Sequence, residues 1–439
     1  MIIGAALVLA LLLGGIHWYF WKRLVRDVSR PGGWYRRVAT GALVVLPLLS
    51  LLSLIGREIG IPFEVLEVIA WPGYYWFAAI LYLILTLVVS EAVRFVLLRR
   101  LGGRAPAGDA GRVAVPAKAG AQDAGGAGPD PEPAAGSKAE AESPSEAEAG
   151  TQPDAGQGNG DGAADPTRRL VVARGIAAGV GVVTAGVLGY GSYAARNLTT
   201  KHLTIPLAKL PRAGHGYRIA VVSDIHLGPV MGRGHCQRVV DAINRTQPDL
   251  ITVVGDLVDA EVEDLRSAAA PLVQLRSRDG AYFVTGNHEY MVDTRAWVDH
   301  VRELGLVPLE NAREELAHFD LAGVNDEDGE GTDFGGPDYE AALGDRDPQR
   351  ATVLMAHQPV QIHEAVDYGV DLQVSGHTHG GQMWPMTYIA GLANPTLAGL
   401  ERYGDTQLYV SRGAGAWGPP VRVGADPDIT VIELASGQA

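Results

Sequence analysis

The stretch VVSDIHLG, Val221 to Gly228, sets an apolar lead-in against an acid and an imidazole two residues apart. Apolar residues up to Val222 read as a buried strand, and Gly228 reads as the place where the chain turns away. On an extended strand, residues two apart share a face, so Asp224 and His226 are predicted to point the same way. A buried strand that ends in a paired carboxylate and imidazole is a two-pronged clamp for a cation.

Four further apolar runs end in the same kind of residue. VVGDLVD (Val253–Asp259) supplies Asp256 and Asp259, and VTGNHEY (Val284–Tyr290) supplies Asn287 and His288. LMAHQP (Leu354–Pro359) supplies His357, and VSGHTHGG (Val374–Gly381) supplies His377 and His379. Short apolar runs closed by Gly or polar turns, with helix-like segments such as HCQRVVDAINRTQ (His235–Gln247) between some of them, indicate a soluble α/β domain over 203–439. In such sheets ligands collect beyond the carboxyl ends of the strands.

So many oxygen and nitrogen donors exceed the needs of one tetrahedral ion and suit two divalent ions bridged by a carboxylate. Imidazole and carboxylate without thiolate select Mn, Fe or Zn. Each pattern alone recurs by chance. Asn287 alone would be a turn residue and His357 alone an interior histidine, but their order along the chain argues for one metal site.

The rest of the chain is different in kind. Of 439 residues, 47% are hydrophobic, yet the formal net charge is −14. That pairing indicates membrane segments joined to an acidic soluble part, and it argues against a nucleic-acid binder, which would carry a basic face. A single cysteine, Cys236, rules out an intrachain disulfide and reads as a bystander.

Residues 1–100 read as a membrane region with about three transmembrane helices: Ile2–Trp21, Val38–Gly56 and Tyr74–Leu98. Pro47 lies inside the second, which membrane helices tolerate. Glu91 and Arg94 are spaced to pair on the third. Basic clusters at Lys22–Arg37 and Arg99–Arg104 place those flanks in the cytoplasm. Residues 101–166 are rich in Ala, Gly, Pro and Glu and read as a disordered acidic linker. Residues 167–196 read as a fourth span or as a twin-arginine-like anchor starting at Arg168 and Arg169. Either reading puts the domain that follows on the extracytoplasmic side of the cell membrane.

The ordered set D-x-H, G-D-x-x-D, G-N-H-E, a lone His and G-H-T-H resembles the calcineurin-like metallophosphoesterase superfamily over roughly Tyr217 to Leu434, and within it the membrane-anchored bacterial phosphoesterases. The tail LYVSRGAGAWGPPVRVGADPDITVIEL (Leu408–Leu434) shares the resemblance less specifically. The resemblance implies an α/β fold, a two-sheet β-sandwich flanked by helices, here preceded by N-terminal transmembrane helices. It implies one metal held by Asp224, His226, Asp256 and His379, and a second held by Asp256, Asn287, His357 and His377. His288 would be the proton donor or the stabiliser of transition-state charge, and Gly255, Gly286 and Gly376 would permit close backbone approach.

Asp259 has two readings: an acceptor orienting a ligand histidine, or a cap for the next helix. Gln382 and Trp384, just after His379, are candidate substrate contacts; the alternative for Trp384 is core packing. The acidic loop Val324–Asp338 either borders the cleft or is a solvated insertion. The expected function is hydrolysis of phosphodiester, phosphomonoester or pyrophosphate bonds in a phosphorylated small molecule or a lipid-linked envelope substrate, such as a UDP-diacylglucosamine-like glycolipid. The alternative is a non-catalytic metal-binding or sensory module that keeps the fold; every motif residue is nonetheless present.

Overall fold

A computed structural model describes residues 2–102 and 166–437 of the chain. Four long helices come first: α1 (Ile2–Phe20), α2 (Trp34–Ile55), α3 (Phe63–Gly102) and α4 (Pro166–Arg196). Among the described residues, three segments are long and apolar enough to cross a bilayer: Trp34–Ile55, Phe63–Leu97 and Leu170–Arg196. Apart from its ends, the expected linker over 101–166 lies outside the described residues. Glu91 does not take Arg94 as its main partner, which stays 4.0 Å away. Its carboxylate instead pairs with Arg23 at 2.8 Å and accepts from the Tyr19 hydroxyl at 2.8 Å. Packing of α1 against α3 brings a closer cation than the same-helix neighbour.

Twelve strands follow: β1 (Thr199–Leu207), β2 (Tyr217–Val222), β3 (Leu250–Val254), β4 (Ala281–Val284), β5 (Val307–Pro308), β6 (Ala312–Glu315), β7 (Asp320–Gly323), β8 (Thr352–Met355), β9 (Leu372–Ser375), β10 (Gly399–Tyr403), β11 (Thr406–Val410) and β12 (Asp428–Ser436). They form two six-stranded mixed sheets, ordered β1-β12-β2-β3-β4-β5 and β10-β11-β9-β8-β7-β6. Within the first, β2, β3, β4 and β5 run parallel. Within the second, β7, β8, β9 and β11 run parallel. The five apolar runs read from the sequence are β2, β3, β4, β8 and β9.

Burial explains why those runs lack alternation. Tyr217, Ile219 and Val221 of β2 face the layer between the sheets, against Val353, Met355 and Val374. Ala220 and Val222 face the other way, against the helices α5 (Arg233–Thr246), α6 (Val262–Ala269) and α7 (Thr294–Glu303). Both faces are apolar because both are covered. Parallel strands in each sheet then deliver their C-terminal loops to one rim.

Those loops are not simple strand continuations. β2 stops at Val222, and Asp224 and His226 both adopt left-handed backbone, with φ of 52° and 49°. Asp256, His377 and His379 do the same, with φ of 51°, 71° and 52°. The expectation that strand alternation aims Asp224 and His226 together is therefore corrected: a left-handed residue at each position turns the side chain inward. Non-glycine residues in this region cost on the order of 1 kcal/mol each and cluster where a site over-determines them. Gly255, at φ 74°, has no room for a side chain: a Cβ there would lie 2.5 Å from His357 Nδ1.

Candidate metal centre

The loops after β2 and β3 are zipped together by backbone bonds from Asp224 N to Gly255 O, His226 N to Asp256 O and Leu227 N to Leu257 O. This clamps two carboxylates and an imidazole into one floor. The loop after β9 closes over it: His377 N donates to both oxygens of Asp224, at 2.9 and 3.1 Å. Glu289, fully buried, holds a third loop in place. Its carboxylate accepts from the backbone N–H groups of Asp256 (3.0 Å), Leu257 (2.8 Å) and Gly286 (2.7 Å).

Among the described residues three groups of ligand atoms result: one is His226, Asp259 and His288, joined through the Asp259 carboxylate, and the other two face each other. Asp224, His226 and His379 converge in one of that pair, and Asp256, His357 and His377 in the other, the ligand atoms within each lying no more than 4.8 Å apart. Asp256 Oδ2 stands between them, 3.7 Å from His226 Nε2 and 3.2 Å from His357 Nε2. Asn287 Oδ1 is 2.9 Å from His377 Nδ1 at the edge of the second group.

Hydrogen bonds on the far side of the rings set which nitrogens face inward. His357 Nδ1 lies 2.8 Å from the Val254 carbonyl, so Nδ1 donates there and Nε2 is the nitrogen turned toward the site. That Nε2 is buried, has no hydrogen-bond partner and faces a carboxylate oxygen. His226 Nδ1 lies 2.7 Å from Asp259 Oδ1, so its Nε2 also points inward, 2.9 Å from His379 Nε2. Ring nitrogens and carboxylate oxygens crowded into one buried pocket fit a positive charge between them. This donor set, all imidazole, carboxylate and amide oxygen, fits divalent cations.

The electrostatics agree. Burial raises the Asp256 pKa, but the His357, His288 and His226 imidazoles outweigh it and hold the carboxyl well below its usual range. Burial lowers His357, and Asp256 beside it reverses the sign and raises it well above the ordinary value. Burial and the Arg422 guanidinium hold His379 well below its usual value. Burial would also lower His288, but Asp259, 2.9 Å from its Nδ1, raises it to about 9.

Asp259 thus touches two imidazoles through one oxygen. Gln382 is buried and tied to the 417–419 loop, donating to the carbonyls of Trp417 and Pro419 and accepting from Trp417 N. Trp384 is half-exposed and lines an apolar groove with residues of α3 and α4. The Val324–Asp338 loop is divided: Asn325 and Asp326 are buried, and Asp326 accepts from Gln358 Nε2. The Gly335 carbonyl accepts from the Tyr290 hydroxyl, beside Glu289.

Two residues of the site escaped the motif reading. Glu289 belongs to the G-N-H-E pattern, and a buried acid following a ligand pair was its only signal. Arg422 is fully buried and donates to the carbonyls of His379, Arg412, Gly415 and Ala425, with Nη2 2.9 Å from His379 Nδ1. It lies 43 residues from His379 in an apolar-flanked GPPVRVG segment, a spacing no local pattern exposes.

The family model described as calcineurin-like phosphoesterase matches residues 217–381. A transmembrane protein with metallophosphoesterase domain from Danio rerio is 38% identical over 267 residues, 58% of this chain and 61% of that protein. An uncharacterized metallophosphoesterase of Aquifex aeolicus is 34% identical, over 54% of this chain and 92% of the relative. One from Bacillus subtilis is 31% identical, over 58% of this chain and 93% of the relative. The chain spans under two thirds of the vertebrate relatives it matches, 61% and 65% of their length. Fold, rim chemistry and near full-length bacterial relatives agree, and the chain belongs to the calcineurin-like metallophosphoesterase family.

Proposed function

We propose that this chain is a membrane-tethered hydrolase of phosphoric ester or pyrophosphate bonds whose site holds two divalent cations. One observation carries the reading: Asp256 Oδ2 faces inward-pointing imidazole nitrogens of both ligand groups, as a bridging carboxylate would. Asp224, His226, Asp256 and His379 would hold one ion, and Asp256, Asn287, His357 and His377 the other. When bound, such ions supply charge neutralisation at the phosphoryl oxygens and acidify water toward neutral pH.

The chain's own residues do the rest. Asp259 accepts from His288 Nδ1, which leaves Nε2 to donate. The Asp259 carboxylate raises the His288 pKa, which favours a protonated ring able to give that proton to the departing oxygen as the P–O bond breaks. Glu289 and Arg422 hold the ligand loops against the reorganisation that charge transfer would otherwise drive.

A lipid-linked envelope substrate, such as a UDP-diacylglucosamine-like glycolipid, is favoured over a freely soluble one by the membrane helices. Arg57, in the loop between α2 and α3, bonds Glu261 of the catalytic domain at 2.6 Å, so that loop and the domain share one side of the bilayer. The basic residues Lys22–Arg37 and Arg99–Arg100 lie at the other ends of the helices, which favours an extracytoplasmic domain. In this reading residues 101–166 are a tether, and 167–196 are a fourth span.

The test is hydrolysis by the full chain in detergent with Mn²⁺ or Zn²⁺, comparing bis-p-nitrophenyl phosphate with p-nitrophenyl phosphate. Turnover that Asp256→Ala loses supports the reading. No turnover of either compound, with metal bound, favours the binding-module alternative.

A further inference from the structure

Helix α3 is longer than a bilayer requires. Its 35 apolar-compatible residues, Phe63–Leu97, would extend about 50 Å, against roughly 30 Å of hydrocarbon. The surplus turns project toward the catalytic domain, where Phe63 packs against the core beneath α5, α6 and α7. Arg57 fixes the preceding loop there, donating to the Asp259 carbonyl at 2.9 Å and to the Glu261 carboxylate at 2.6 Å. The membrane hairpin is therefore fastened to the segment that carries Asp259.

Between hairpin and rim lies a cleft of about 310 Å³. One wall is Leu54, Phe63 and Leu66 of the hairpin; the other is His288, Met291 and Trp417 of the catalytic domain. Trp417 stands edge-on to His288, ring centroids 5.9 Å apart. Met291 is 61% exposed and Trp417 53% exposed. Large apolar side chains left open beside a catalytic histidine mark a binding surface. Arg57, Glu58 and Tyr74 stand on the same hairpin wall, so the cleft offers an apolar surface edged by polar groups, which suits an amphiphile better than a purely polar substrate.

We infer that this cleft binds the hydrocarbon portion of an amphiphilic phosphoester, a lipid phosphate drawn from the membrane surface, so that its phosphorus lies over the Asp256 rim with the chain along Leu54, Phe63 and Met291. This rests on the phosphoesterase reading and gives that site its substrate class. The α2–α3 hairpin is then part of the binding site rather than only an anchor. Gln382 and Arg57 act as positioning residues, the first by holding the Trp417 loop and the second by holding the hairpin. Each methylene withdrawn from water is expected to improve binding by up to about fourfold.

The test uses the full chain in detergent micelles, comparing ethyl p-nitrophenyl phosphate with hexadecyl p-nitrophenyl phosphate at matched micelle concentration. A hexadecyl phosphate carrying a diazirine in its chain is photolysed on the same protein, and the labelled peptides are mapped. The expected result is a kcat/KM ratio favouring the long ester by about tenfold or more, with label on Phe63–Leu66 or Met291–Val292. Met291→Trp fills the cleft from an exposed position and should cut both the ratio and the label. A ratio near one, with the ethyl ester still turned over, overturns the cleft assignment and leaves the phosphoesterase reading standing. If neither ester is hydrolysed the phosphodiesterase part of the reading fails; label confined to the cleft then still supports a lipid-phosphate site, and label elsewhere overturns it.

Discussion

One carboxylate oxygen of Asp259 lies 2.9 Å from His288 Nδ1 and 2.7 Å from His226 Nδ1. A single anion thus fixes the tautomer of an inward-facing ligand ring and the charge of the proposed proton donor. The coupling predicts a double loss in Asp259→Asn. Metal affinity should fall about 10- to 100-fold, because the ring partner of a ligand histidine is typically worth that much. Turnover at saturating metal should fall as well. Isothermal titration of the metal alongside kcat separates the two; an unchanged metal affinity would remove Asp259 from the ligand-orienting role.

The leaving oxygen's basicity should decide how much His288 matters. A general acid contributes about 10²- to 10⁴-fold when the leaving group is a poor one. p-Nitrophenolate departs readily without protonation, whereas an alkoxide does not. His288→Ala should therefore lose much more activity on an alkyl phosphoester than on bis-p-nitrophenyl phosphate. Equal losses on both would assign His288 to charge stabilisation instead.

Glu289 satisfies three buried backbone N–H groups with one side chain. Glu289→Ala strands all three, and a buried donor left without a partner costs about 1–3 kcal/mol. The variant should lose on the order of 3 kcal/mol or more in denaturant unfolding monitored on the full chain. A loss under about 1 kcal/mol would mean that the loops find other partners.

His235, buried on α5 and not itself one of the ligands, carries a pH prediction. Burial first, and Arg238 second, push its pKa down to about 3. Unfolded, it returns to its ordinary value near 6.5. Between those values the unfolded chain binds more protons than the folded one, so stability rises with pH through that window and falls as pH drops from 6.5 toward 3. His235→Leu should flatten part of that acid slope, on the order of a few kcal/mol by pH 4. Unfolding curves of both proteins from pH 4 to 8 check it; parallel slopes would contradict it.

Much of this architecture was legible because it obeys short-range rules. The runs at β2, β3, β4, β8 and β9 are apolar on both faces and end in turn residues, and their terminal Asp, Asn and His residues stand together on one rim. What local pattern could not convey depends on distant partners. β1 pairs with β12 across more than two hundred residues, from Thr199 against Asp428 to Leu207 against Ser436. Arg422 reaches His379 only because the last loop folds back over the rim. The inward aim of Asp224 and His226 comes from left-handed backbone rather than strand alternation, and no spacing reveals a φ angle. The contact of Arg57 with Glu261 joins segments separated by 204 residues, so the hairpin wall of the cleft had no sequence signature.

The central claim is that two cations and this rim together hydrolyse phosphoesters. Its most direct test is a titration of the chelated, metal-free full chain with Mn²⁺, reading bound metal by mass spectrometry and bis-p-nitrophenyl phosphate turnover in the same samples. The account predicts activity that rises until about two equivalents are bound and then levels, with Asp256→Ala failing at both binding and turnover. Full activity at one equivalent, or two equivalents bound with no turnover, would contradict it.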